Sequence, residues 1–137
     1  MTKEKVVEIY IPSELGYEKI PISAAAAVAQ KMEFALDRIE DLKTAVGEAV
    51  INAIEHGNQF NVDIRVLITL TIQDDALALH VVDEGRQPIP ADVMAGRTDR
   101  SDNRGWGMFL IKNLVDKVEV LAAPNRNEIR MVIYLEH

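Results

Sequence analysis

Hydrophobic residues recur along this chain at two different periods. Between Asp37 and Gly57, Leu42, Ala45, Val46, Ala49, Val50 and Ile54 return every three or four residues. That spacing predicts a long amphipathic helix, with Gly57 as a natural C-cap. Lys5 to Ile11 alternates Val7, Ile9 and Ile11 against Val6, Glu8 and Tyr10 until Pro12 stops it, which predicts a first strand at a sheet edge. Ser13 is the expected N-cap of a helix running to about Phe34. Pro21 conflicts with that helix, so either a kink is required or a short helix followed by a second one with Pro21 near its start. Ile64 to Ile72 and Ala76 to Val82 read as a hairpin around Asp74-Asp75. Gly107 to Asp116 returns to helical spacing. Val118 to Ala122 and Ile129 to Leu135 close the chain as strands around Pro124-Asn125.

Between these elements Arg86 to Trp106 is rich in Pro, Gly, Asp and Arg and has no clear period. A loop of that length in a compact domain is usually functional, often a lid. The order strand, two helices, two strands, lid, helix, two strands implies an α+β fold. The expected form is a two-layer sandwich, a mixed but mostly antiparallel sheet with helices on one face.

Composition narrows the class. The 137 residues fit a single domain spanning 1–137, and 48% hydrophobic with 27% charged residues is ordinary for a globular protein. Cysteine is absent, which excludes thiolate catalysis and Cys-based zinc sites. No apolar run is long enough to span a bilayer and no signal peptide is visible, so a cytoplasmic location is expected, with no membrane partner. The net charge of −7 disfavours nucleic acid, which needs a basic face. Leu135-Glu136-His137 reads as a possible tag remnant.

Three clusters carry candidate chemistry. Glu48, Asn52 and His56 follow at i, i+4 and i+8 on the long helix, in one row along its surface. A carboxylate, a carboxamide and an imidazole there suit a base, a metal ligand and a phosphate contact; a solvated helix face is the alternative. Asp83-x-Gly85 ends a strand, as a simple turn or as a carboxylate able to accept a hydrogen bond from an adenine amino group. Arg104-Gly105-Trp106-Gly107 precedes an amphipathic helix, where exposed N–H groups and the helix dipole favour phosphate.

Together, Glu48-x-x-x-Asn52, Asp83-x-Gly85 and Gly105-x-Gly107 resemble the motifs of the GHKL, or Bergerat-fold, ATPases. The likeness extends to the anti-sigma factor serine-protein kinases of bacterial partner-switching systems, particularly over Gly105 to Leu114. The resemblance implies ATP and Mg²⁺ as cofactors, with Asn52 as the Mg²⁺ ligand and Asp83, beside Gly85, reading adenine. Gly105, Gly107 and the neighbouring Arg104, Trp106 and Met108 would cradle the phosphates. Glu48 would be the general base, and His56 a phosphate or water contact or a helix cap. Arg97, Arg100 and Arg104 lie in the lid, where one or more would neutralise γ-phosphate charge or remain solvated. One position departs from the family's Asp-x-Gly-x-Gly: Gln87, followed by Pro88, stands at the second glycine.

The function implied is an ATP-dependent serine/threonine protein kinase and anti-sigma factor. It would phosphorylate a STAS-domain anti-anti-sigma antagonist and sequester a sigma factor or similar output protein, with a homodimer possible. The alternative is a nucleotide-gated sequestering protein with little or no kinase activity. The catalytic domain of a sensor histidine kinase fits less well, since the chain opens on a strand rather than on a phosphoacceptor helix.

Overall fold

In the computed structural model, which describes residues 4–85, 89–99 and 104–135, alternation becomes sheet and the three-to-four period becomes helix. The strands are β1 (Lys5–Pro12), β2 (Arg65–Ile72), β3 (Ala76–Asp83), β4 (Lys117–Ala123) and β5 (Arg126–Tyr134). The helices are α1 (Lys19–Lys31), α2 (Leu36–Asn52), the short α3 (Ala91–Met94) and α4 (Arg104–Leu114). A π turn, Ala53–Gly57, extends α2. The sheet order is β1-β2-β3-β5-β4, with β1 at an edge as its pattern predicts.

All four pairings among the described strands are antiparallel, which corrects the expectation of a mixed sheet. The physical reason lies in β5. The crossover from β3 through α4 leaves β4 running in the direction of β3, but β5 inserts between them and pairs with both. No parallel contact forms among the described strands.

Period two sorts the two faces. Ile11, Val66, Ile68, Leu70, Leu77, Leu79, Met131 and Ile133 point to one side and meet Leu42, Val46, Val50 and Ile54 of α2 in a single core. The alanine-rich α1 packs closely on α2, burying Ala25 and Ala29, and Ile22 lies against Gly47 of α2. The α+β two-layer arrangement, helices on one face, is therefore as expected.

Two sequence expectations change at β1–α1. Ser13 does not cap a helix: its hydroxyl donates to the Ile64 carbonyl at 2.5 Å, inside the protein. The helix begins later, at Lys19, which leaves Pro21 in the first turn, where its missing N–H costs nothing.

Arg38 fastens the helical layer to the sheet. Its guanidinium donates to the Leu114 carbonyl at the end of α4 (3.2 Å), to Asp41 (3.3 Å) and to Asp116 (3.0 Å). Asp116 in turn accepts the Tyr134 N–H at 2.6 Å. Arg38→Ala leaves these acceptors without their half-buried cation. It is expected to lower the unfolding free energy by about 1.5–3 kcal/mol, read from urea denaturation.

Candidate functional site

The site is laid out along α2. Glu48 and Asn52 are one turn apart, and α4 crosses them at Gly107. A Cβ at Gly107 would stand 2.9 Å from Glu48 Oε2 and 3.3 Å from Asn52 Nδ2, so a side chain there would push the Glu48 carboxylate aside. The N-terminal turn of α4 thus lies against a carboxylate and a carboxamide. This brings the first and third sequence clusters together.

The second cluster joins them at the other end of the helix. There the chain widens into the π turn, closed by the Asn58 N–H on the Ala53 carbonyl at 2.8 Å. Turns of this kind cluster at functional sites. This one presses the Gly57 backbone onto Asp83: a Cβ at Gly57 would come within 2.6 Å of Asp83 Oδ1 and nearer still to the other carboxyl atoms. Gly57 does not have positive φ, so its role is close approach rather than the C-cap expected from sequence. Gly85 completes the cluster, since a Cβ there would lie 2.8 Å from the Gly57 carbonyl and 2.7 Å from Asp83 Oδ1.

Asp83 is almost fully buried at the end of β3. Its Oδ1 accepts the Gly85 N–H at 2.8 Å and the Asn127 side-chain amide at 3.3 Å. Burial pushes its pKa up, and the hydrogen bonds from Gly85 and Asn127 and the positive charge of Arg104 pull against that. Glu48 is also pushed up, mainly by burial and then by the neighbouring Glu55. A carboxylate that holds its proton more readily than usual is suited to accept one at neutral pH. From Glu48 to Gly57 the helix rises about 13 Å, the scale of an extended nucleoside triphosphate.

The remaining predicted residues are distributed less uniformly. His56 lies half-buried within the π turn that follows Asn52. Gly105 is buried in α4, and Arg104 begins that helix. Trp106 is exposed on α4 rather than in a lid, and meets Phe109 edge-on at 5.6 Å. Met108 buries its side chain in the core, which leaves its backbone as the part beside Gly107. Arg97 pairs with Asp99 at 2.6 and 3.0 Å on the surface. Part of the expected lid forms α3; Arg86, Gln87, Pro88, Arg100 and the final Glu136 and His137 lie outside the described residues.

Sequence reasoning missed Asn127 and Asn58. Asn127 lies directly across from Asp83 in the β3–β5 register, because β5 starts three residues earlier than its hydrophobic alternation shows. Asn58 reads locally as part of a turn. No local pattern marks either residue.

Residues 11–133 match the histidine kinase-like ATPase domain family. The chain is 30% identical over 122 residues to the serine-protein kinase RsbW of Bacillus subtilis (strain 168), covering 83% of this chain and 76% of that protein. It is also 30% identical over 130 residues to the serine-protein kinase RsbW of Bacillus cereus (strain ZK / E33L), covering 88% and 80%. Among solved structures, a crystal structure of the RsbU and RsbW domains of Rv1364c from Mycobacterium tuberculosis superposes with a TM-score of 0.71 at 15% identity. That match covers 94% of this chain and 32% of the longer one, and shows the fold. The chain belongs to the histidine kinase-like ATPase domain family. Within that family it is an ATP-using protein kinase of the serine/threonine class, like the RsbW proteins it resembles over most of its length.

Proposed function

We propose that this kinase transfers the γ-phosphate of ATP to a serine or threonine of a STAS-domain antagonist and that it sequesters a sigma factor or similar output protein. The observation that supports this reading most is the arrangement along α2: Gly107 of α4 on Glu48 and Asn52 at one end, Gly57 and Gly85 around Asp83 at the other. Adenine binds at Asp83, whose carboxylate accepts the exocyclic amino group while Asn127 and the Gly85 N–H hold it in place. The phosphates lie at the start of α4, where the backbone of Gly105 to Gly107 and the helix dipole attract them.

Among the described residues no cluster of three or more His, Cys, Asp or Glu could hold a metal ion. Mg²⁺ takes few protein oxygens and draws most of its ligands from phosphate and water. The Asn52 side chain, next to Glu48 and α4, offers a hard oxygen of the right kind. Bound there, Mg²⁺ would neutralise phosphate charge.

The substrate hydroxyl attacks the γ-phosphorus as the bond to ADP breaks, and its proton passes to the Glu48 carboxylate. The products are a phosphoester on the partner and ADP. A homodimer through the exposed edge of β1 and a cytoplasmic location belong to the same reading. Among the described residues no helix is long and apolar enough to cross a membrane.

Incubation with Mg-ATP and candidate STAS proteins is expected to give acid-stable phosphate on one of them; acid-labile phosphate would point to histidine instead. ATP binding with no transfer to any partner would leave a nucleotide-gated sequestering protein. Asp83→Asn is expected to weaken ATP binding at least tenfold, since a hydrogen bond to a charged acceptor is worth about 1.5–3 kcal/mol. Calorimetry on the folded variant checks this, and an unchanged affinity would remove Asp83 from the adenine site.

A further inference from the structure

Asn58 is buried immediately after the π turn, and both ends of its side-chain amide are used. Its Oδ1 accepts the Glu84 N–H at 2.9 Å. Its Nδ2 donates to the Ser13 hydroxyl at 3.0 Å and to the Arg65 carbonyl at 3.4 Å. The Ser13 hydroxyl passes its own hydrogen to the Ile64 carbonyl. One carboxamide therefore ties together four separated stretches of chain: the end of β1, the start of β2, the π turn and the exit of β3.

The position of these bonds matters more than their number. The last β3–β5 pair is Asp83 with Asn127, so the Glu84 N–H lies beyond the ladder. Asn58 Oδ1 supplies its partner and so sets the direction in which the chain leaves the strand. The next amide, that of Gly85, returns to Asp83 Oδ1. On its other side, the backbone N–H of Asn58 closes the π turn that holds Gly57 against Asp83. Asn58 thus fixes both walls around the Asp83 carboxylate without touching the carboxylate itself.

We infer that Asn58 is a positioning residue for base recognition, holding Asp83 in the direction that selects an adenine amino group over the carbonyl of guanine. The inference rests on the assignment of Asp83 to adenine made above. It is specific to the base end, because among the described residues the side-chain hydrogen bonds of Asn58 and Ser13 run to Glu84, Arg65, Ile64 and each other, and none of these reaches Glu48, Asn52 or Gly107. A buried donor and acceptor that hold a recognition group in place usually matter nearly as much as the group.

The test is Asn58→Ser, with Ser13→Ala as its comparison, measuring ATP and GTP affinity and steady-state kinetics. Asn58→Ser is expected to raise the Kd and KM for ATP about tenfold and to shrink the ATP-over-GTP preference. The kcat at saturating ATP should stay within a few-fold, because the phosphate end is untouched. Ser13→Ala removes the far partner but leaves the Asn58–Glu84 bond. It should lower stability while keeping the wild-type preference for ATP. A folded Asn58→Ser with wild-type affinity and ATP-over-GTP preference overturns the inference, as does an equal loss of preference in Ser13→Ala. If Asn58→Ser does not fold, amide exchange on the wild type decides. The Glu84 N–H should exchange slowly without nucleotide, and fast exchange there overturns the inference. Failure of the adenine assignment itself would show differently, as wild-type ATP affinity in Asp83→Asn.

Discussion

Glu48→Gln is expected to reduce phosphoryl transfer by about 10²–10⁴, the usual worth of a positioned general base, while ATP affinity stays within a few-fold of wild type. The amide keeps the shape of the side chain and the contact with Gly107, so α4 need not move. It cannot accept the hydroxyl proton. Quenched-flow or steady-state transfer to the partner, set beside calorimetric ATP binding, separates the two effects. Transfer at the normal rate would show that Glu48 is not the base.

The same variant carries a stability prediction of fixed sign. Burial raises the pKa of Glu48 in the folded protein above its ordinary value near 4.5, so the folded state binds this proton more tightly than the unfolded chain does. The resulting stability is fully present below the unfolded pKa and is lost as pH rises through the higher folded one. At pH 7 the folded protein therefore bears the cost of a partly desolvated charge, which the neutral amide of the variant does not carry. Thermal melts should show Glu48→Gln at least as stable as wild type at pH 7, with this advantage fading below about pH 4. A variant that loses activity while gaining stability marks a residue retained for chemistry rather than for folding.

Gly57→Ala is expected to cost nucleotide affinity roughly 10- to 100-fold, although Gly57 need contribute no side chain to binding. The new Cβ would occupy the space of the Asp83 carboxyl group, and Asp83 would have to turn away from its bonds with Gly85 and Asn127. Circular dichroism should still report a folded protein, because the collision is confined to the end of β3. Because Gly57→Ala acts through Asp83, combining it with Asp83→Asn should be little worse than either change alone. Wild-type ATP affinity in a folded Gly57→Ala would contradict the placement of the base beside Asp83. Full additivity in the double variant would show that Gly57 acts by some other route.

The sequence by itself determined the periodic parts of this protein. The stripe from Leu42 to Ile54 specifies α2, and the alternation of Val7, Ile9 and Ile11, and of Ile64 to Ile72, specifies strands, though β1 buries only Ile11 fully and leaves Val7 exposed. Those periods are local, since each residue's face follows from its position in its own element. The spacing of Glu48 and Asn52 follows from the same rule. Tertiary structure decided the rest, because it depends on which distant segments meet. The insertion of β5 between β3 and β4 removed the parallel pairing and placed Asn127 across from Asp83. The π turn pressed Gly57 onto a carboxylate 26 residues further along the chain. Ser13 reads locally as a helix cap and Asn58 as a turn residue, because both residue types favour such places. In the folded protein their side chains bond to each other across 45 positions of sequence, a relation that periodicity cannot encode.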